Sequence, residues 1–351
     1  WIFVVERLLA FVILSAEEHP WIFLNEGLQR MRSHAPHRQV VAADGMDKTI
    51  DELEIPSSTE HPRIIVVQPE KHNGAALLIL PGGGYRKVVM EEEGLDFARV
   101  FAGRGFTSFI VDYRVPNAAG HDVGISLADV IASLRWLSQS ATAAAFGIDA
   151  QRVGIVGSSA GGHLSLSVIA ACSGYPGVHV LAMLLCYPAL RSPICWCRQK
   201  MRSTTGKLRK IEVLKKKDPG SLLKGEKDQI AQESKILAEL HRWESLPNTD
   251  VHGVTHEKAG WHRFCMGGDD VLLNLARKLP PICIVTSAGD PQAVRDAKKI
   301  LDAIREVGDG TFHLSRHFNG PEYLKHGFGL HDFWVNDSLD WLEAKLSLQR
   351  T

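Results

Sequence analysis

The chain has 351 residues, 45% of them hydrophobic, and its 40 basic side chains balance its 40 acidic ones. That length admits one large α/β domain or two small ones with a sizeable core. The neutral balance excludes a global electrostatic pull toward nucleic acid or an anionic membrane.

The chain begins with Trp1 rather than Met, as a fragment or a processed form would. "WIFVVERLLAFVILSA" is apolar but interrupted by Glu6 and Arg7, and the run after Arg7 is too short to span a bilayer. Two readings stand for it. One is the end of a signal peptide, with Arg7 as basic flank and Ser15-Ala16 near a cleavage site. The other is an amphipathic helix packed on the domain or a simple extension, so the compartment stays open. Residues 1–60 are taken as an N-terminal extension and 61–350 as the main domain.

Arg63 to Val67 reads as an edge strand ending at Pro69. Ala75 to Tyr85, "AALLILPGGGY", is a buried strand running into a glycine loop. "EEEGLDFARVFAGRG" is a helix whose Leu95, Ala98, Phe101 and Ala102 recur at core-facing spacing. Phe106 to Val115 is a strand and Ser126 to Leu137 an amphipathic helix. Arg152 to Val156 is a strand, followed by a tight turn and a helix from His163 to Ala171. Strands are expected at 178–188, 280–287 and 311–318, and helices at 292–307 and 333–348. Apolar strands alternating with amphipathic helices predict a mostly parallel sheet covered on both faces.

Residues 191 to 262 break the rhythm. They are rich in Lys and Arg from Arg198 to Lys217, then polar and helix-prone. The segment is expected to be an insert, either a lid or a solvated excursion. Without interleaved aromatics it is a poor nucleic-acid signal. Among the six cysteines no C-x-x-C pair and no zinc-ligand spacing occurs, Cys195-Trp196-Cys197 included. Cys172, Cys186 and Cys283 fall in or beside apolar elements, where a free thiol acts as a small hydrophobe.

The chemistry gathers at one turn. Gly157-Ser158-Ser159-Ala160-Gly161 reads G-x-S-x-G with Ser159 at its centre; centring on Ser158 fails because Val156 and Ala160 replace the glycines. The strand before it and the helix after it are the context this nucleophile motif requires. Acyl transfer through a serine also needs a base, a group to orient the base, and donors for the oxyanion. The donors are expected from the backbone of Gly83 or Gly84 in Pro81-Gly82-Gly83-Gly84-Tyr85, together with Ala160 after the nucleophile. A phosphate-binding loop is the alternative there, but neither glycine-rich phosphate fingerprint occurs. The acid is expected at Asp290, just past the strand ending at Ser287. Asp296 is the fallback, and a plain helix cap is the structural alternative for Asp290. The base is expected at His326 between Lys325 and Gly327, with His331 five residues on as the fallback. His163 is read as a packing residue behind the turn.

The ordered pieces "LILPGGGY", "FIVDYRV", "GIDAQRVGIVGSSAGGHLS", "LLCYPAL", "PPICIVTSAGD" and "HGFGL" resemble the α/β-hydrolase carboxylesterases, in particular the acetyl esterase and acetylxylan-esterase-like branch. The resemblance covers Arg63 to Leu348 apart from the insert, and Pro81 separates the chain from hormone-sensitive-lipase-like esterases, which carry His there. It implies the α/β-hydrolase fold with an insertion after strand 6 of that fold. It implies Ser159 as nucleophile, Asp290 as acid, His326 as base, and oxyanion donors from Gly83 or Gly84 with Ala160. The implied activity is hydrolysis of short-chain, acetyl-like esters, with a small-molecule or carbohydrate ester as substrate and no cofactor or metal. A serine peptidase or amidase of the same fold, and a non-catalytic binding protein, are the competing functions.

Overall fold

The computed structural model of the chain describes residues 39–41, 47–49, 51–55, 62–115, 124–172, 179–190, 220, 222–228, 230–231, 234, 269–308 and 310–347. Nearly all of the 191–262 insert and the apolar run at the N-terminus lie outside these residues. Among the described residues no helix is long and apolar enough to cross a membrane.

Ten strands are present among the described residues. β1 (Gln39–Val41) and β2 (Asp47–Thr49) pair with each other. The other eight are β3 (Asp51–Ile55), β4 (Arg63–Gln68), β5 (Ala76–Leu80), β6 (Thr107–Asp112), β7 (Val153–Ser158), β8 (Ala182–Cys186), β9 (Ile282–Ser287) and β10 (Arg316–Gly320). They form one sheet in the order β10-β9-β8-β7-β5-β6-β4-β3. The six strands from β10 to β6 are parallel, and β4 and β3 are antiparallel to their neighbours.

The inner parallel strands β5, β7, β8 and β9 are buried throughout, β6 is buried up to Asp112, and their side chains alternate between two cores, while β10 at the sheet edge is largely exposed. Ala76, Leu78 and Leu80 of β5 point to one, Leu77 and Ile79 to the other, as the two-residue period of a strand dictates. The first core is closed by α2 (Gly124–Leu137), α3 (Ser140–Phe146), α4 (Ala160–Cys172), α5 (Asp269–Ala276) and α6 (Pro291–Val307), through residues such as Val130, Phe146, Leu164, Leu275 and Ile300. The second is closed by α1 (Asp96–Ala102) and α8 (Val335–Ser347), through Phe97, Phe101, Leu339 and Leu342. A parallel sheet has no wet face, so both layers are required. Cys186 and Cys283 are buried free thiols inside β8 and β9, and burial pushes the Cys283 thiol up to about 12.

Three local features differ from expectation. Arg63–Gln68 is an inner strand, because residues 51–55 pair along its outer side and satisfy its backbone groups; the sheet thus reaches back across residue 61. The expected strand 311–318 is split. Thr311–Leu314 forms a one-turn helix, α7, and the strand starts at Arg316, where it comes into register with Cys283. Ser315 makes the break: its Oγ donates to the Thr311 carbonyl and accepts the Ile282 N–H. Finally, the helix after β5 opens as a π-helical turn over Glu91–Leu95 before continuing as α1.

Candidate active site

Gly157-Ser158-Ser159-Ala160-Gly161 is the link between β7 and α4, and it turns without a spare residue. Ser159 takes φ 51°, in the left-handed region, which costs a non-glycine residue on the order of 1–2 kcal/mol. Its amide donates to the Cys186 carbonyl, and its carbonyl accepts from His163 and Ala189. The flanking glycines are needed for space. A Cβ on Gly161 would sit 1.8 Å from the Leu80 carbonyl oxygen, and one on Gly157 would sit 2.2 Å from Ser165 Oγ.

The turn delivers Ser159 Oγ to within 2.7 Å of His326 Nε2. His326 Nδ1 lies 2.5 Å from Asp290 Oδ2. Ser159, Asp290 and His326 come from loops after the parallel strands β7, β9 and β10, all opening at the same sheet edge, with β8 lying between β7 and β9. Asp290 also caps α6, its Oδ1 accepting the Ala293 N–H at 3.1 Å. The cap and the histidine contact use different oxygens, so one carboxylate makes both contacts at once. Burial pushes the Asp290 carboxyl up. The hydrogen bonds from His326 and the Ala293 amide outweigh burial and hold it below the usual carboxylate value.

The acid and base loops are fastened to each other. Ser287 Oγ donates to the Leu324 carbonyl, the Ala288 N–H reaches the Gly320 carbonyl at 2.9 Å, and a Cβ on Gly289 would lie 2.0 Å from the Leu324 oxygen.

The glycine loop after β5 lies directly on the serine: a Cβ on Gly82 would be 2.9 Å from Ser159 Cβ. Tyr113 Oη donates to the Pro81 carbonyl at 2.7 Å, and the Gly82 and Gly83 carbonyls accept from Val89 and Arg86. The Gly82 N–H is committed to Glu93 Oε2 at 2.6 Å. Among the described residues no acceptor takes the Gly83 or Gly84 amide. Ala160 is the first residue of α4, where backbone N–H groups have no intrahelical acceptor.

The fallback residues stand elsewhere. Asp296 is buried one turn into α6, and its carboxylate accepts from the Leu190 amide and the Gln292 side chain. His331 stands four residues before α8, in the turn leading into it, its carbonyl accepting from Trp334 and Val335, with its ring beside Tyr323 and Phe333. His163 is fully buried, with Nδ1 2.8 Å from the Tyr85 hydroxyl; burial lowers its pKa to about 3. Glu93 and Tyr187 were not singled out by sequence. Tyr187 lies edge-on to His326 with ring centroids 5.1 Å apart. One signal was available, a Tyr immediately after the buried strand that adjoins the serine turn.

A parallel sheet covered on both faces, with a strained serine turn met by the loops of two neighbouring strands, is the architecture of the α/β hydrolases, and this chain has that fold. A family model described as the alpha/beta hydrolase fold matches residues 78–224. An acetylxylan esterase of Xylanibacter ruminicola is 35% identical over 128 residues, covering 36% of this chain and 25% of that protein. The match thus spans a quarter of the length of this curated relative. Among solved structures, esterases of Rhizomucor miehei share the fold at 15% identity and a TM-score of 0.55, covering 93% of this chain and 91% of theirs. An acetyl ester-xyloside bifunctional hydrolase of Caldicellulosiruptor lactoaceticus does so at 17% identity and 0.51, covering 83% and 90%.

Proposed function

We propose that this chain is a serine carboxylic ester hydrolase acting on short, acetyl-like esters, with acetylated carbohydrate as the substrate class. The observation that carries the reading is the unbroken relay from Ser159 Oγ through His326 to Asp290. Similarity to an acetylxylan esterase over part of the chain supports the acyl and alcohol classes.

In this reading His326 Nε2 takes the Ser159 proton as the oxygen attacks the ester carbonyl. Asp290 holds the imidazole in the tautomer that leaves Nε2 free to accept, and stabilises the imidazolium that forms. The oxyanion of the tetrahedral intermediate is met by the amides of Gly83, Gly84 and Ala160, which develop full strength only as charge develops. His326 then returns the proton to the departing alcohol, leaving an acyl group on Ser159. A water repeats the sequence, its proton passing to His326 and back to the serine as the carboxylic acid leaves. No cofactor or metal is called for, because backbone amides carry the developing charge.

The test compares p-nitrophenyl acetate, its anilide analogue and a serine-directed fluorophosphonate. Rapid acetate turnover, little anilide cleavage and labelling lost in Ser159→Ala are expected. Faster anilide cleavage would assign a peptidase or amidase. A chain that neither turns over nor takes the label would be a binding protein.

A further inference from the structure

Glu91, Glu92 and Glu93 follow one another in the chain. The first two face solvent and the third is 6% exposed. A carboxylate is costly to bury unless hydrogen bonds replace its water, and both oxygens of Glu93 are bonded. Oε2 accepts the Gly82 N–H at 2.6 Å, and Oε1 accepts the Tyr187 hydroxyl at 2.9 Å. Burial still pushes the Glu93 carboxyl up, opposed by those two bonds and by the nearby His326.

Both partners touch the site. Gly82 is the first glycine of the loop packed on Ser159, and fixing its amide sets the plane from which the Gly83 and Gly84 amides project. Tyr187 has φ 39° and lays its ring against both His326 and Phe328, with centroids 5.1 and 4.7 Å away. A side chain in the left-handed region needs its surroundings to hold it there, and the Glu93 bond is one such hold. The π-helical turn over Glu91–Leu95 contains Glu93. Such turns carry one residue more per hydrogen-bonded ring than an α-helix and recur at functional sites.

Resting on the ester-hydrolase reading above, we propose that Glu93 is a positioning residue of this site. It clamps the glycine loop and Tyr187 together, and through them sets the oxyanion donors and the His326 ring around Ser159.

The test is steady-state hydrolysis of p-nitrophenyl acetate by the full chain, with kcat expressed per serine titrated by a fluorophosphonate. The variants are Glu93→Ala, Glu93→Gln and Tyr187→Phe, with Ser159→Ala as the blank. Normalising to reactive serine removes any loss that comes only from unfolded protein. Glu93→Ala should lower kcat per site by about 10- to 100-fold, the scale expected of misplaced catalytic groups, with KM within about threefold. Glu93→Gln should recover most of that loss, since its amide oxygen still accepts from Gly82 and its nitrogen can donate to Tyr187 Oη. Tyr187→Phe should fall between the two. If Glu93→Ala does not fold, Tyr187→Phe set against Glu93→Gln decides by the same ordering. Wild-type kcat per site in both Glu93→Ala and Tyr187→Phe, or a Gln variant as impaired as the Ala variant, would overturn the clamp and leave the ester reading standing. Wild-type protein no faster than Ser159→Ala would overturn the ester reading, and the clamp with it.

Discussion

Ser158 and Ser159 are neighbours in the chain whose hydroxyls end in different places. Ser158 closes β7 and is 1% exposed, its hydroxyl against the Cys186 thiol, whereas Ser159 reaches His326 Nε2 at 2.7 Å. The turn at φ 51° produces the difference.

Ser159→Ala is therefore expected to cut kcat on p-nitrophenyl acetate by on the order of 10⁴- to 10⁶-fold with the fold intact by circular dichroism. Ser158→Ala should cost less than about tenfold, because its hydroxyl lies outside the relay. A reversed order would move the nucleophile by one residue.

Asp290 and Asp296 are six positions apart on one loop and helix, and only Asp290 meets His326. Asp290→Asn keeps an acceptor for the Ala293 amide and so keeps the α6 cap. It should nevertheless lower kcat by about 10³- to 10⁴-fold by favouring the wrong histidine tautomer. Asp296→Asn should leave kcat per reactive serine within a few-fold and show its effect in thermal melting. Equal losses of kcat in the two variants would contradict this assignment.

Gly82 and Gly161 predict two kinds of failure. A Cβ on Gly161 would drive into the backbone of β5 at Leu80, and Gly161→Ala should not give soluble folded protein. A Cβ on Gly82 would sit 2.6 Å from Glu93 Oε2 and 2.9 Å from both the Ser158 carbonyl oxygen and Ser159 Cβ, so it crowds Glu93 and the serine turn rather than β5. Gly82→Ala should melt within a few degrees of wild type yet label with fluorophosphonate at least about 100-fold more slowly, as expected of displaced catalytic groups. Normal labelling in Gly82→Ala would show that the loop does not touch the reaction.

His163 gives a pH signature of folding. Its pKa falls from 6.5 to about 3 on burial, so between those values the unfolded chain binds a proton that the folded chain refuses. Stability is full above pH 6.5 and declines as pH falls, by up to about 1.4 kcal/mol per pH unit from this residue. Urea unfolding at pH 7 and pH 5 should show His163→Gln losing about 2 kcal/mol less than wild type over that interval. Identical pH dependence in the two proteins would mean that His163 takes up its proton in the folded chain as readily as in the unfolded one.

The serine turn was legible because it is a local device: a buried strand, a serine between glycines and a helix leave the backbone few ways to turn. Asp290 and His326 were legible because successive parallel strands open their loops on one edge, so chain order alone restricts which acid and which histidine can meet Ser159. The turn at Thr311–Leu314 was not. Four residues of mixed polarity suit a strand or a helical turn equally, and the choice fell to Ser315, which bonds both Thr311 and the first residue of β9.

By itself, then, the sequence determined the alternation of strands and helices and the serine turn, with the loops of Asp290 and His326 following it in chain order, since these follow from periodicity and local backbone sterics. Tertiary structure alone decided that residues 51–55 extend the sheet, that Asp290 serves α6 and His326 with separate oxygens, and that one of three consecutive glutamates is buried. Each of those depends on which groups meet across the fold when water is excluded, and no pattern of neighbours in the chain carries that information.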